Sequence, residues 1–336
     1  MKTTDLKNTP SDISQAADLI KDGEVVAFPT ETVYGLGADA TNDEAVQAVF
    51  TAKGRPADNP LIMTVGDASQ IEPYVQVNHA ARQLMNTFWP GSLTMILPIK
   101  PDMVSMLVTG GLQTAAVRMP ANDATRAMIR QAGVPIVGPS ANLSGKPSPT
   151  TAAHVHHDMD GKIAAVLDDG PTQVGVESTV LDLTADQPTI LRTGAILPKM
   201  ISVVLGKPVI DGTSEKALAA DQVPKAPGMK YRHYAPDKEV VIFDPLDWQD
   251  LQGQLQVGDA VMAQDQLLGN LGNQVPSWSL GTDLTSASEN LFAGLRYFDD
   301  QEATVKIYVQ AMPDIDLGRA YNNRLGKASA GQHFTL

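Results

Sequence analysis

Short apolar runs that alternate with helix-length amphipathic stretches are the pattern that most constrains the fold of this chain. Residues 25–28 and 61–65 form apolar runs of strand length, and a stretch of helical periodicity that begins at Asn42 lies between them. Such an alternation is typical of an α/β fold with a twisted, partly parallel sheet. The same pattern predicts further strands at 93–97, 114–118, 134–138, 163–168, 178–183 and 189–192.

Polar residues and glycines mark where the first helices begin and end. Ser11 is placed to cap a helix with apolar residues on one side, and Gly23 follows where a left-handed residue would end it. Asn42 is placed to cap the next helix. These residues predict helices on both sides of the first apolar run.

The composition changes after residue 206. Residues 207–238 are rich in lysine, proline, glycine, aspartate and alanine and show little periodicity, which is typical of a linker. A second α/β pattern follows, with apolar runs near 240–243 and 305–309 and a helical stretch near 286–297. We therefore expect a larger domain over 1–206, a linker over 207–238 and a smaller domain over 239–336.

Charge and composition exclude several kinds of protein. The chain has 25 basic and 38 acidic side chains, a net charge of −13, which argues against a protein that binds nucleic acid mainly through its phosphates. The absence of cysteine excludes disulfides, thiolate nucleophiles and cysteine-ligated metals. The sequence shows no secretory signal and no apolar run of about 18 residues, so we expect a cytoplasmic protein without a membrane span.

The first candidate site follows the apolar run at 25–28. Residues 29–37 offer the hydroxyls of Thr30, Thr32 and Tyr34 together with two glycines. Ligands of open α/β sheets bind beyond the carboxyl ends of the strands, which is where this segment is expected. A polar turn that uses the glycines for positive φ angles is the alternative interpretation.

Three further segments carry groups suited to anions, each with a structural alternative. Lys53 and Arg55 suit a polyphosphate but would equally stabilise the end of a helix. Arg118, at the end of the strand predicted over 114–118, suits a carboxylate or a structural ion pair. Residues 138–145 combine small residues and hydroxyls, which favours either a nest for phosphate oxygens or a simple turn.

One predicted helix is rich in histidine, and the common nucleotide-binding motifs are absent. His154, His157 and Asp158 would share one helix face, as zinc ligands can, although solvated helix residues are the favoured interpretation. The chain contains neither a Walker-A motif nor a Gly-x-Gly-x-x-Gly motif, so a nucleotide site here must be of another kind.

Taken together and in order, the motifs resemble the YrdC-like family. The segments that carry the resemblance are Pro29-Thr-Glu-Thr-Val-Tyr-Gly-Leu, Lys53-Gly-Arg-Pro, Asn59-Pro-Leu-Ile, Trp89-Pro-Gly-Ser-Leu-Thr, Val117-Arg-Met-Pro, Pro139-Ser-Ala-Asn-Leu-Ser-Gly, Glu177-Ser-Thr-Val and Leu191-Arg-Thr-Gly. Residues 226–236 and 318–328 resemble the linker and the tail of the long, two-domain form. The resemblance therefore covers nearly the whole chain.

This resemblance implies an open α/β catalytic domain with a concave cleft, a Rossmann-like C-terminal domain and a linker that covers the active site. It implies an L-threonylcarbamoyladenylate synthase that uses L-threonine, bicarbonate or CO2, and ATP with Mg²⁺, and releases pyrophosphate. The product would serve the tRNA threonylcarbamoyl-transfer machinery, which modifies position 37 of tRNA. Direct tRNA binding is expected to be weak or absent.

The resemblance also assigns residues to roles. Lys53 and Arg55 would be catalytic. L-Threonine would be bound by Thr32, Thr64, Arg118, Gly138 and Ser178. ATP would be bound by Arg55, Asn59, Thr114, Ser140, Asn142, Ser148, Arg192 and Tyr231, the last within a linker that gates the site. Thr64 stands where many members of the family have histidine. At this position the sequence departs from the family pattern.

Two other functions fit parts of the sequence. One keeps the fold but forms a carbamoyladenylate for a carbamoyltransferase, and dependence on threonine would separate it from the first. The other is an RNA-binding protein that uses the concave cleft, which the net charge disfavours.

Overall fold

The computed structural model describes residues 2–213, 233–272 and 275–335. Its strands are Thr4–Lys7 (β1), Val26–Phe28 (β2), Gly35–Asp39 (β3), Ile62–Thr64 (β4), Leu93–Pro98 (β5), Thr114–Arg118 (β6), Ile136–Val137 (β7), Ala165–Asp168 (β8), Thr179–Asp182 (β9), Thr189–Arg192 (β10), Ile210–Asp211 (β11), Glu239–Phe243 (β12), Asp259–Ala263 (β13), Ser277–Ser279 (β14) and Lys306–Gln310 (β15). Its helices are Pro10–Lys21 (α1), Asp43–Lys53 (α2), His79–Phe88 (α3), Met106–Thr109 (α4), Asp123–Ala132 (α5), Ala152–Met159 (α6), Pro198–Leu205 (α7), Trp248–Gln254 (α8), Asp265–Leu268 (α9), Leu284–Asp299 (α10) and Asp316–Ala328 (α11).

Within the described residues, one large mixed sheet forms the first domain. Eleven strands follow one another in the order β1-β8-β2-β3-β7-β4-β6-β5-β9-β10-β11. β4 and β6 are parallel neighbours near the middle, with Thr64 opposite Arg118, and β7 pairs antiparallel with β4. The α/β fold with a partly parallel sheet is therefore confirmed, and the strands predicted at 93–97, 114–118 and 189–192 are present within one residue.

Strand β3 is absent from the sequence-based prediction, which assigned its glycines to a loop. Gly35 and Gly37 lie in extended backbone and not at positive φ. β3 pairs antiparallel with β2, and a Cβ on Gly35 would lie 2.4 Å from the ring of Phe28. These glycines therefore make room for an aromatic ring, so the interpretation as a turn with positive φ angles is wrong.

The helix ends agree with the sequence at two of the three predicted positions. Asn42 caps α2 by accepting from the backbone N–H groups of Glu44 and Ala45, and Gly23 follows α1 at φ +82°. Thr151 caps α6. Ser11 does not cap α1, because the preceding Thr9 accepts from the Asp12 N–H and Pro10 occupies the first helical position.

The second domain has a wholly parallel sheet in the order β12-β15-β13-β14. Alternate residues of its strands face opposite sides: Met262 packs with residues of α10 and α11, whereas Val261 packs with residues of α8. Helices thus cover both faces, as parallel sheets require. No helix in the described ranges is long and apolar enough to cross a bilayer.

The two domains pack against each other through buried charged pairs. Arg296 of α10 binds Asp158 of α6 through two bonds of 2.8 and 3.1 Å, and Arg324 of α11 binds Glu177 at 2.9 Å. The backbones also touch, since a Cβ on Gly175 would lie 2.3 Å from the Ser288 carbonyl oxygen. The second domain therefore contacts the first closely along α10 and α11.

Candidate active site

A polar cavity lies where the ends of several central strands meet the interface with the second domain. Its wall includes many of the residues singled out in the sequence, namely Thr32, Lys53, Arg55, Arg118, Gly138, Ser140, Asn142 and Arg192. Cationic groups and small residues share this surface with the carboxylate of Glu177. The cavity therefore has the composition that an anionic ligand would need.

Arg118 is held rigidly at the end of β6. Its guanidinium donates to Thr32 Oγ1 at 2.9 Å and to Glu31 Oε1 at 2.7 Å, and its Nε donates to the Gly91 carbonyl at 3.2 Å. Burial raises the pKa of Glu31, but the charge of Arg118, together with hydrogen bonds from Arg118, Ser92 and the Ala121 N–H, holds that pKa below its ordinary value. The structural ion pair anticipated for Arg118 is therefore present, and the guanidinium still faces the cavity.

A smaller pocket adjoins the cavity at Arg118. It is lined by Thr64, Gly138 and the ring of Phe28, and it shares Arg118 and Ser140 with the larger cavity. A Cβ on Gly138 would lie 2.4 Å from Thr64 Oγ1, so only glycine leaves this space open. The pocket suits a small ligand that presents a carboxylate to the guanidinium.

Lys53 braces the loop on the other side of the cavity. Its side chain is buried, and its ammonium donates to the carbonyl oxygens of Ser140 and Asn142, the latter at 2.6 Å. Burial, followed by the charge of Arg55, lowers the pKa of Lys53 well below its ordinary value. Lys53 thus lines the cavity, but its donors are already directed at backbone oxygens and not at a ligand.

Two other arginines, Arg55 and Arg192, line the cavity. Arg55 donates to the Pro60 carbonyl at 3.1 Å, and Arg192 donates from Nε to the Ser178 carbonyl at 3.0 Å and from Nη2 to Ser178 Oγ at 3.1 Å. Each group is oriented by the protein and exposes an edge to the cavity. Such preorganised cations suit the oxygens of a phosphate chain.

Four predicted residues do not line either cavity. Ser178 binds Arg192, Ser148 donates to Glu177 at 2.5 Å, and the backbone of Asn59 lies near Arg55. Thr114 lies at the other end of β6, about 13 Å along the strand from Arg118. Tyr231 and most of the predicted linker lie outside the described residues.

Several residues of the cavity wall were given no role by the sequence-based prediction. His233 and Tyr234 reach the wall from the end of the predicted linker, and burial lowers the pKa of His233 to about 3, so its ring is neutral. Glu177 of the wall binds Arg324, and Glu31, which lies outside the lining, binds Arg118; both acids are largely shielded from solvent. Both acids stand inside the motifs quoted above, and a buried acid in such a segment signals a nearby cation.

The histidine-rich helix α6 faces the second domain. Asp158 binds Arg296, and His157 contacts Asp158 at 2.9 Å and Asp300 at 3.2 Å. His154 lies within 3.3 Å of Thr150, and burial lowers its pKa to about 4. Among the described residues, no group of three or more histidine or acidic side chains is placed to hold a metal ion.

Known proteins match this chain over its whole length. Residues 18–194 match the Sua5, YciO and YrdC family model described as "Telomere recombination", and residues 196–330 match the model described as "Threonylcarbamoyl-AMP synthase, C-terminal domain". A Bacillus subtilis threonylcarbamoyl-AMP synthase is 45% identical over 98% of this chain and 96% of its own length.

Two solved structures resemble this chain. The crystal structure of Pyrococcus abyssi Sua5 complexed with L-threonine superposes with a TM-score of 0.91 at 38% identity and covers 100% of both chains. E. coli YciO, at 22% identity, covers 60% of this chain with a TM-score of 0.53 and shares the fold of the first domain. The chain belongs to the Sua5, YciO and YrdC family, in the two-domain form shared with the threonylcarbamoyl-AMP synthases.

Proposed function

We propose that this chain is an enzyme that forms L-threonylcarbamoyladenylate and pyrophosphate from L-threonine, bicarbonate or CO2, and ATP. The observation that carries the proposal is the small pocket at Arg118 that opens into a cavity lined by Arg55 and Arg192. A site for a carboxylate thus adjoins a site for a phosphate chain. The match along the whole chain to proteins named threonylcarbamoyl-AMP synthase supports the same reaction.

In this proposal the smaller pocket binds L-threonine. The guanidinium of Arg118 would hold the threonine carboxylate, with the hydroxyls of Thr32 and Thr64 nearby and Gly138 leaving room for the side chain. Because Glu31 and Thr32 fix the guanidinium before the substrate arrives, little ordering remains to be done on binding. Ser178 would contribute by orienting Arg192.

ATP would occupy the larger cavity. Arg55 and Arg192 would bind phosphate oxygens together with Ser140 and Asn142, whose loop Lys53 holds in place through two carbonyl oxygens. The proposed ATP contacts of Asn59, Thr114, Ser148 and Tyr231 remain predictions. The catalytic contribution of Lys53 would then be to position this loop.

No side chain needs to act as a nucleophile in this reaction. The amine of threonine adds to CO2 and loses a proton, or displaces water from bicarbonate, to give N-carboxythreonine. The new carboxylate then attacks the α-phosphorus of ATP as pyrophosphate leaves. The protein aligns the reactants, stabilises charge on the phosphate oxygens and shelters the labile intermediates from water. Guanidiniums, hydroxyls and a small enclosed pocket suit these tasks.

Mg²⁺ is proposed to enter with the nucleotide. Mg²⁺ usually keeps several waters and binds through substrate phosphates and one or two protein oxygens. The cavity wall offers the hydroxyl of Ser140, whereas its carboxylate, Glu177, already binds Ser148 and Arg324. This donor set fits a metal ion carried on the phosphates.

The resemblance to the family supports a proposal for where the product is made and used. We propose a cytoplasmic enzyme whose product serves the threonylcarbamoyladenosine modification of tRNA. Transfer to tRNA would be carried out by partner enzymes, and direct tRNA binding would be weak or absent.

The test is pyrophosphate release with ATP, Mg²⁺ and bicarbonate, with and without L-threonine, together with the mass of the nucleotide product. Threonine-dependent release and a threonylcarbamoyl-AMP mass are expected. Release without threonine would favour formation of a carbamoyladenylate, and tRNA binding without release would favour the RNA-binding function.

Arg55→Ala tests the site itself. We expect it to abolish pyrophosphate release without changing the thermal melting temperature, because its guanidinium lies at the cavity wall. Arg82→Ala is the control, since Arg82 is 57% exposed and pairs with Glu72 on the surface. Wild-type turnover by the Arg55 variant would remove Arg55 from the catalytic machinery.

A further inference from the structure

One arginine of the second domain reaches the cavity wall of the first. Arg324 lies on α11, and its side chain is 0% exposed. It donates from Nε to Glu177 Oε2 at 2.9 Å and from Nη1 to the Thr193 carbonyl at 2.8 Å. Its guanidinium also lies 5.9 Å from the ring centre of Tyr234, which itself lines the cavity. Helix α11 thus contacts three segments around the site.

Glu177 is the acid that Arg324 binds. Its other oxygen accepts from Ser148 Oγ at 2.5 Å, and the side chain lies at the cavity wall beside Arg192. Burial raises the pKa of Glu177, but the charges of Arg324 and Arg192, together with hydrogen bonds from Ser148 and Arg324, hold that pKa below its ordinary value. The titratable and charged groups that face Glu177 are Arg192, His233, Tyr234, Arg324 and Lys327.

The position of this acid creates a problem for an enzyme that binds a triphosphate. A buried carboxylate next to a polyphosphate repels it and competes with it for the same cations. Arg324 offsets this charge from the side away from the cavity. Arg192 is then left to interact with the ligand rather than with Glu177.

We propose that Arg324 is a positioning residue of the nucleotide site: it neutralises Glu177 and supports Tyr234, so that the second domain completes the charge balance of a cavity built mainly by the first. This inference rests on the proposed function. It assigns to the second domain a direct part in ATP binding.

The test compares Arg324→Gln, Glu177→Gln and the double variant in steady-state kinetics. In Arg324→Gln the unpaired carboxylate draws Arg192 away from ATP, so the KM for ATP should rise about tenfold or more. The KM for L-threonine should change little, because Arg118 is bound by Glu31 and not by Glu177. In the double variant the neutral amide needs no counterion and still accepts from Ser148, so most of the loss should be recovered.

The pH profile separates this role from a merely structural one. Without Arg324 the pKa of Glu177 rises, because burial is then opposed by fewer charges. As the pH is lowered, the Glu177 carboxyl of the variant therefore becomes protonated and neutral before that of wild type, and the defect of Arg324→Gln relative to wild type should shrink. Burial lowers the pKa of Lys327 to about 8, so every variant is compared with wild type at the same pH. The double variant should show no such change.

The matched control is Arg319→Gln on the same helix. Arg319 pairs with Asp211, is 37% exposed and lies away from the cavity, so its kinetic constants should match wild type. An Arg324→Gln enzyme with an unchanged KM for ATP would overturn the proposal. So would a double variant no better than the single one, or a defect that affects both substrates equally and follows the melting temperature.

Two further measurements keep the inference independent of folding and of the reaction. If Arg324→Gln does not fold, Arg324→Lys should fold and show a smaller rise in the KM for ATP, and an unchanged KM there would count against the proposal. Calorimetric binding of ATP with Mg²⁺ tests the same charge balance without turnover. If wild type binds ATP but forms no product, the proposed function fails, whereas weaker binding by Arg324→Gln with recovery in the double variant still supports Arg324.

Discussion

Replacement of Asp158 by asparagine is the sharpest test of how the two domains are held together. The Asp158 carboxylate receives two bonds from Arg296, at 2.8 and 3.1 Å, and the side chains are 3% and 7% exposed. Removing the charge of one partner in such a buried pair typically costs about 3–5 kcal/mol. Asparagine keeps one acceptor oxygen, so we expect the lower end of that range, about 3 kcal/mol.

Urea unfolding at neutral pH measures this loss. With a slope of about 3 kcal/mol per molar urea, the midpoint should fall by about 1 M. Burial raises the pKa of Asp158, but the pair with Arg296 holds it below its ordinary value. The stabilisation is therefore present above about pH 4 and is lost as the pH falls through the lowered pKa. The difference in urea midpoint between wild type and Asp158→Asn should therefore become smaller at acidic pH.

Glu72→Gln provides the control for this measurement. Glu72 and Arg82 are joined at 2.9 Å, as closely as the buried pair, but their side chains are 50% and 57% exposed. An exposed pair contributes less than about 1 kcal/mol. If Asp158→Asn lowers the urea midpoint no more than Glu72→Gln does, the buried interdomain pair contributes no more stability than an exposed pair. That result would refute the reasoning.

Two further predictions concern the proposed threonine pocket. Glu31→Gln removes the charge that orients Arg118, so the KM for L-threonine should rise about tenfold while the KM for ATP stays near wild type, as steady-state kinetics can check. Gly138→Ala would place a Cβ 2.4 Å from Thr64 Oγ1 and fill the pocket, so kcat/KM for L-threonine should fall about tenfold or more; unchanged kinetics would place the amino acid elsewhere.

Much of the fold could be predicted because burial dictates it locally. Apolar runs identified β5, β6 and β10, and the side chain of Asn42 identified the start of α2. Strand β3 could not be predicted in this way. Gly35 and Gly37 have low strand propensity. The strand needs glycine at these positions because the ring of Phe28 on the neighbouring strand packs against them.

In the site, too, some residues could be predicted from local sequence and others could not. Arg118 was predicted because it ends an apolar strand, and Ser140 because it follows one; both line the cavity. The direction of the Lys53 ammonium depends on a loop 87 and 89 residues away, which local sequence does not encode. The pair of Glu177 and Arg324 spans 147 residues and two domains, so neither residue alone indicates its partner.

The absence of a side chain at Gly175 allows the two domains to approach closely. Its φ of +74° disfavours any side chain, and a Cβ there would lie 2.3 Å from the Ser288 carbonyl oxygen. A methyl group needs about 3.5 Å from such an atom, so alanine would act as a wedge that drives α10 away by about 1 Å. Because Arg324 reaches Glu177 through the same interface, that wedge would loosen the charge balance of a cavity it never touches.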